Sequence, residues 1–142
     1  MKKEEPTHLF GNLMRKHDYL LHLACQKYGI YRGQHHILRT LMKYPGLTQH
    51  ELAQKTNIAK ASITTSLNRM EKNGFVARKK SQTDGRCNII FITQKGVEAI
   101  QGCEKEIDKI KKALFSELNE EEVESFNHIV VKLIQGLDHI DN

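Results

Sequence analysis

The sequence lacks any apolar run of about 18 residues, the length that a membrane-spanning helix needs. Its first ten residues, MKKEEPTHLF, carry acidic side chains where a secretory signal needs its apolar region. We therefore expect a cytoplasmic protein with no membrane partner. Catalytic motifs are also absent: the chain has no G-x-S-x-G, no phosphate-binding loop and no HExxH. We expect that the protein is not an enzyme.

Cysteine is scarce. Cys25, Cys87 and Cys103 are odd in number, widely spaced and without a CxxC pair. This spacing favours neither a disulfide framework nor a zinc ribbon, so we expect reduced thiols, no metal site and no cofactor. The 142 residues are enough for one domain with a core and too few for two independent ones.

Acidic residues are few in the middle of the chain. Residues 43–95 hold ten Lys or Arg against three acids, giving +7, whereas residues 1–42 carry +4 and residues 96–142 carry −6. Basic charge concentrated in one segment is expected where that segment meets a polyanion and the ends of the chain do something else.

Apolar residues at three- and four-residue steps predict a first helix over residues 8–28 and a second over residues 34–43, ended by Pro45-Gly46. After Thr93, a candidate cap, two long amphipathic helices complete the chain, and the second opens with an Asn119/Glu122 cap pair. Their spacing is that of a coiled-coil seam. We therefore predict that the first helix and the last two form a dimer interface; covering a single monomer's core is the alternative.

The segment between these ends predicts a helix-turn-helix. Thr48 followed by Glu51 is a capping box that opens a short helix, and residues 56–58 form a turn. A second helix covers about residues 59–73, with Gly74 as a left-handed cap. Residues 75–80 and 87–92 then read as a hairpin around Asp84-Gly85. The second helix of such a motif is free to enter a major groove.

These residues resemble the MarR family of winged helix-turn-helix transcription regulators. LTQHELAQKTNIAKASITTSLNRMEKNGFV is similar to the family's pattern over this region, and Asp84, Arg86 and Thr93 match its Asp-x-Arg wing followed by a strand. Ala59, Thr65 and Ser66 depart from that pattern. The resemblance implies a mainly helical fold with a small β-wing, in which N- and C-terminal helices form a dimerisation domain.

The resemblance also implies a homodimer that binds a pseudo-palindromic operator in double-stranded DNA, with repression relieved by a small effector. It places Arg86 in the minor groove, with Asp84 orienting it. We divide the single MarR-like domain into a DNA-binding lobe at residues 34–95 and a dimerisation region at residues 8–30 and 96–141. The phosphate or groove candidates are Lys60, Lys72, Lys79, Lys80, Arg86 and the helix N-terminus at Thr48; the base-edge candidates are Ser62, Thr64, Thr65, Asn68 and Arg69.

Sensing residues are harder to assign. Cys25 lies near His22 in the predicted first helix, with Tyr31 and His36 beyond the break, a set compatible with a redox switch, a metal site or a buried inert cysteine. The family default is a small aromatic or amphipathic effector between the dimer and winged regions, and Tyr31 and His35 depart from the family's usual residues there. A winged-helix module for protein–protein contact is the alternative from another functional class, although such surfaces usually favour apolar anchors over lysine and arginine.

Overall fold

The computed structural model describes residues 3–31, 33–83 and 85–140. Within these residues the chain forms helices and a small antiparallel sheet, as the sequence predicts. None of the described helices is both long and apolar enough to cross a membrane. In chain order the elements are α1 (Pro6–Gln26), α2 (Gln34–Lys43), β1 (Leu47–Thr48), α3 (Gln49–Thr56), α4 (Lys60–Lys72), β2 (Val76–Lys80), β3 (Asn88–Ile92), α5 (Gln94–Phe115) and α6 (Glu120–Asp138).

Helix α1 begins two residues before its predicted start and ends two residues before its predicted end. Pro6 occupies the first turn, where proline's missing N–H has no intrahelical partner to lose. At the other end Gly29 has a φ of +76°, and the N–H groups of Tyr28 and Ile30 both donate to the Cys25 carbonyl. This left-handed glycine stops the helix, although the apolar pattern continues to Tyr28.

The helix-turn-helix forms as predicted. Thr48 is the N-cap of α3: the Glu51 N–H donates to its Oγ1 at 3.1 Å, and its own N–H donates to Glu51 Oε1 at 3.2 Å. The connecting turn contains Asn57 in the left-handed region, with a φ of +56°. Ala59 precedes α4 without a side-chain cap, and Gly74 follows it with a φ of +80°.

The sheet has one strand more than the sequence predicts. Its order is β1-β3-β2, and all neighbours are antiparallel. The predicted hairpin is β2 with β3, in the register Val76↔Ile92. The additional strand β1 pairs Leu47 with Ile90, so the segment before α3 is held on the far side of β3. Two residues are too short to show an alternating pattern, which is why the sequence does not reveal this strand.

The chain divides into two compact units, unit 1 at residues 1–107 and unit 2 at residues 108–142. In unit 1, apolar side chains from α2, α3, α4, β3 and α5 pack into one core that fixes the outward faces of the helix-turn-helix. Its largest fully buried apolar members are Ile30, Ile37, Leu38, Leu41, Leu52, Ile63, Leu67, Met70, Ile90 and Ile100.

Unit 2 contains the end of α5 and all of α6. The predicted cap pair opens α6: the Glu122 N–H donates to Asn119 Oδ1 at 2.9 Å, and the Asn119 N–H donates to Glu122 Oε1 at 3.1 Å. The rings of Phe115 and Phe126 pack edge to face with centroids 5.4 Å apart. No residue of α6 is buried within the chain, so the apolar side chains of this helix remain at least partly exposed to solvent.

Candidate functional site

Helix α4 presents a polar surface opposite its buried face. Ile63, Leu67 and Met70 are fully buried and anchor the helix in the core. The residues between them point away from that core, and none of the exposed ones is large and apolar. The exposed polar side chains include Glu71, an acid that the sequence prediction did not contain, and all of those that it did: Lys60, Ser62, Thr64, Thr65, Asn68, Arg69 and Lys72.

Two threonines on this surface already use their hydroxyl hydrogens. Thr64 Oγ1 donates to the Lys60 carbonyl at 3.0 Å, and Thr65 Oγ1 donates to the Ala61 carbonyl at 3.1 Å. Gln49 Nε2 of α3 donates to Thr64 Oγ1, which joins the two helices of the motif. Both hydroxyls can still accept a hydrogen bond, so their remaining chemistry suits a donor such as an exocyclic amine.

Arg78 of β2 joins the wing to α4. Its Nη2 donates to Asn68 Oδ1 at 3.1 Å, and its Nε lies 3.7 Å from Glu71 Oε2. The separation of Nε and Glu71 Oε2 is short enough for an ion pair but too long for a hydrogen bond, so Nε is buried without a hydrogen-bond partner. With its Oδ1 held by the guanidinium, the Asn68 side chain has a defined amide orientation. Sequence reasoning did not single out Arg78, although it shares a strand face with the buried Val76.

The wing extends cations into solvent. Lys79 and Lys80 end β2, and Arg86 lies in the loop just before β3; all three side chains are exposed. The Ser81 N–H donates to the Cys87 carbonyl at 2.9 Å and continues the ladder one pair beyond the last strand residues. Asp84, the predicted orienter of Arg86, lies outside the described residues.

The N-terminus of α3 is occupied by its own cap. Hydrogen bonds from Thr48, first from its backbone N–H, lower the pKa of the Glu51 carboxyl below its usual value, so Glu51 is charged at neutral pH. The Glu51 N–H is already bonded to Thr48 Oγ1. A phosphate at this helix end would therefore meet the N–H groups of Gln49 and His50 beside a carboxylate.

The predicted sensor residues do not converge on one site. Tyr31 lines a groove of about 640 Å³ together with Tyr28, Phe75 and Lys95. His36 is exposed and lines a different groove of about 430 Å³. His22 is half-buried, and its Nδ1 is buried without a hydrogen-bond partner. Among residues 3–31, 33–83 and 85–140, no group of three or more His, Cys, Asp or Glu side chains is arranged to hold a metal ion.

Cys25 instead faces a residue that sequence reasoning treated only as part of an apolar stripe. Its Sγ lies 2.9 Å from the Sγ of Cys103 on α5, and both residues are free cysteines buried in the core. Burial raises the pKa of both thiols above the usual value, so both are protonated at neutral pH.

Next to this pair, two side chains of α2 lie against the Glu104 carboxylate of α5. His35 Nε2 lies 3.2 Å from Glu104 Oε1, and Arg39 Nε lies 3.4 Å from the same oxygen. Burial lowers the pKa of His35, although Glu104 opposes this effect. Arg39 and Glu104, with Lys43 and Lys105, also line a groove of about 670 Å³ between α2 and α5.

Comparison with known proteins agrees with this architecture. The MarR family model matches residues 30–88, which run from the break after α1 to the start of β3. Among curated proteins, the chain is 25% identical over 113 residues to YdgJ of Bacillus subtilis, described as an uncharacterized HTH-type transcriptional regulator. That alignment covers 80% of this chain and 69% of YdgJ.

Solved structures share the fold at low sequence identity. The PcaV transcriptional regulator of Streptomyces coelicolor superimposes with a TM-score of 0.81 and 18% identity, covering 96% of this chain and 100% of PcaV. PcaV in complex with its natural ligand gives a TM-score of 0.72. A mutant MarR from E. coli complexed with operator DNA gives a TM-score of 0.76 with 21% identity, covering 89% of this chain and 91% of MarR.

Proposed function

We propose that this chain, which belongs to the MarR family of transcriptional regulators, binds an operator in double-stranded DNA as a homodimer and acts as a repressor that a small effector releases. The observation that carries the proposal is the pairing of an exposed, polar recognition helix, α4, with an exposed cationic wing in the +7 segment. In this arrangement the helix in the major groove contacts base edges, and the wing beside it contacts the DNA backbone.

On α4 we assign base contacts to the side chains nearest the middle of the exposed face. Asn68 suits the N6/N7 edge of adenine and Arg69 the O6/N7 edge of guanine. The Arg78 contact at Asn68 Oδ1 leaves the Asn68 Nδ2 group to donate to adenine N7. Ser62, Thr64 and Thr65 complete the base-edge set.

Phosphate neutralisation supplies most of the affinity in this scheme. Each cation that meets a phosphate adds about −0.9 to the slope of log K against log salt. We assign this role to Lys60, Lys72, Lys79 and Lys80, with the α3 N-terminus at Thr48 as a backbone contribution. Arg86 enters the minor groove at the wing tip, with Asp84 orienting it as the family resemblance implies; a narrow A·T-rich groove favours a guanidinium there.

The dimer proposal rests on apolar side chains that the single chain leaves exposed. Monomeric proteins rarely show large contiguous apolar patches, so such residues mark an interface. The described residues of α1 contribute one set and α6 another, and we assign both to the dimer contact. The α1 residues are Leu9, Phe10, Leu13, Met14, Leu20 and Leu23, and those of α6 are Ile129, Val131, Leu133, Ile134 and Leu137.

We therefore propose a single domain that consists of a DNA-binding lobe at residues 34–95 and a dimerisation region at residues 8–30 and 96–141. We propose that the protein acts in the cytoplasm, where it meets double-stranded DNA. We propose a regulator without enzymatic activity.

For the effector we propose the groove lined by Tyr28, Tyr31, Phe75 and Lys95. Two phenol rings and a phenyl ring can stack on a planar ring, and the ammonium of Lys95 favours a carboxylate. Asn73 and Phe75 at the end of α4 line the same groove, so a bound molecule acts on the end of the recognition helix. A panel of aromatic carboxylates should contain compounds that release DNA from the wild-type protein and fail to release it from Lys95→Met.

The direct test is selection of bound fragments from the organism's own genomic DNA. We expect a two-fold symmetric site, bound with an affinity that falls steeply with added salt, by a species of twice the 16.4 kDa chain mass. Absence of duplex binding at low salt would overturn the proposal and favour a protein–protein interaction module. Binding by a species of one chain mass would overturn the dimer.

A further inference from the structure

Cys25 and Cys103 form a pair of thiols in unit 1 that DNA binding does not use. They lie 78 positions apart in the sequence, on α1 and α5, with their sulfur atoms 2.9 Å apart. Cys25 is 7% exposed and Cys103 is fully buried. Two sulfurs at this distance are closer than ordinary van der Waals packing brings uncharged atoms, so the contact is more than two cysteines filling a core.

We propose that Cys25 and Cys103 of one protomer are a covalent modification site, which closes into an intrachain disulfide when the protein meets a small peroxide. The inference concerns the thiols of the folded chain and stands whether or not the protein binds DNA. Cys25 is then not an inert single cysteine, because it has a specific partner, Cys103, on another helix.

The lack of further ligands favours a disulfide over a metal bridge. An S–S bond is about 2.05 Å long, so the two sulfurs need to approach by only about 0.9 Å. A structural zinc ion needs four ligands, of which the two thiolates supply only two. Among the described residues no third ligand completes such a site.

Residues that follow Cys25 in the chain also contact α5. Lys27, two residues after Cys25, has its Nζ 3.6 Å from Oε1 of Glu106, three residues after Cys103. A Cβ at Gly102 would lie 2.3 Å from Tyr28 Cε1, so the Tyr28 ring packs directly on the α5 backbone. These contacts hold the chain just after α1 against α5, so the two sulfurs can reach bonding distance with small side-chain shifts.

Cys25 is the thiol that reacts first. It is the more exposed of the two, at 7% against 0% for Cys103, so a small peroxide reaches its sulfur first. The Cys25 sulfur attacks one peroxide oxygen, the O–O bond breaks, and the departing hydroxide takes the Cys25 thiol proton, which gives a sulfenic acid and one water. The Cys103 sulfur then attacks the Cys25 sulfur, its proton leaves with the hydroxyl as a second water, and the peroxide has taken up the two electrons lost by the thiols.

The experiment treats the full-length wild-type protein with hydrogen peroxide and then analyses it by mass spectrometry. We expect an intact mass lower by two hydrogen atoms, a peptide pair joined through Cys25 and Cys103, and a single-chain band on a non-reducing gel. We also expect the melting temperature to rise on the order of 10 °C, and dithiothreitol to reverse the rise, because the bond closes a long loop in the unfolded chain.

Cys87→Ser is the matched control, since it removes the cysteine outside the pair and should leave the mass change and the temperature rise intact. Cys25→Ser and Cys103→Ser should each abolish both. If a serine in the core prevents folding, the wild-type peptide map decides the question without variants.

Several results would overturn the proposal. A chain-to-chain disulfide, a bond that includes Cys87, or Cys25 oxidised to sulfinic acid with Cys103 still a thiol would each exclude the intrachain site. Stoichiometric binding of Zn²⁺ alone that protects both thiols from peroxide would point to a metal site instead.

Discussion

Replacing Arg78 with methionine removes the guanidinium that joins β2 to α4 but keeps an unbranched side chain. The ion pair with Glu71 is partly solvated, since the two side chains are 25% and 45% exposed, so it is worth less than about 1 kcal/mol. The hydrogen bond to Asn68 Oδ1 contributes about 1 kcal/mol. We expect Arg78→Met to lower the free energy of unfolding by about 1 to 2 kcal/mol, measured by urea titration.

The larger effect should be on base discrimination. Without the contact at Oδ1 the Asn68 amide can rotate, and a base pair read by a bidentate contact loses about 1 to 3 kcal/mol of discrimination, or roughly 5- to 150-fold. Fluorescence anisotropy with the selected operator and its single-base variants measures this loss at the position that Asn68 reads. An Asn68→Ala protein identifies that position.

Arg78→Lys is the matched control for charge. It keeps one positive charge on the strand but lacks the planar fork that reaches Asn68 and Glu71 together. We expect it to lose discrimination as Arg78→Met does, while its salt dependence stays that of the wild type. Full discrimination in both variants would refute the positioning role of Arg78.

Three further predictions concern stability. Ala59→Ser supplies the side-chain cap that α4 lacks and should raise the free energy of unfolding by about 0.5 to 2 kcal/mol in urea titrations; no gain would contradict the cap assignment. Gly96→Ala places a Cβ 2.3 Å from the Phe75 carbonyl oxygen, and this clash with the backbone should cost more than the helix-propensity gain of about 1 kcal/mol, so the melting temperature should fall; an unchanged or higher value would show that α5 is not held against the segment just before β2. Burial lowers the pKa of His35 below its ordinary 6.5, so the stability contributed by the neutral imidazole is complete above pH 6.5 and is lost as pH falls through the folded-state pKa. His35→Gln should flatten this part of the pH–stability curve, and an equally steep curve in the variant would exclude His35 as its cause.

Local sequence rules predicted the helix-turn-helix and the wing. The Thr48/Glu51 and Asn119/Glu122 cap pairs correctly marked the starts of α3 and α6, since capping boxes involve residues only three positions apart. The Asp-Gly pair between two predicted strands indicated the hairpin, and the positive φ of Gly74 confirmed the end of α4. The exposed face of α4 followed from its period because the core residues on the other side were recognisable.

The contacts that join distant elements were not predictable in this way. Strand β1 is too short to have a period, and its pairing with β3 depends on the fold. Arg78 reaches Asn68 across ten positions, and Cys103 reaches Cys25 across 78, so neither distance follows from local spacing. In the sequence Cys103 fitted the apolar stripe of α5, and only the packing of α1 on α5 gave it a sulfur neighbour.

DNA binding through the wing is tested most directly by the salt dependence of operator binding by the wild type, Arg86→Ala and Lys111→Ala. Arg86 is an exposed wing cation, whereas Lys111 is an exposed cation in the acidic C-terminal segment and serves as the matched control. We expect Arg86→Ala to weaken binding by about 1 to 3 kcal/mol and to make the slope of log K against log salt shallower, with the fold intact. Lys111→Ala should bind as the wild type does. Equal affinity and slope for Arg86→Ala and the wild type would contradict the assignment of the wing to DNA.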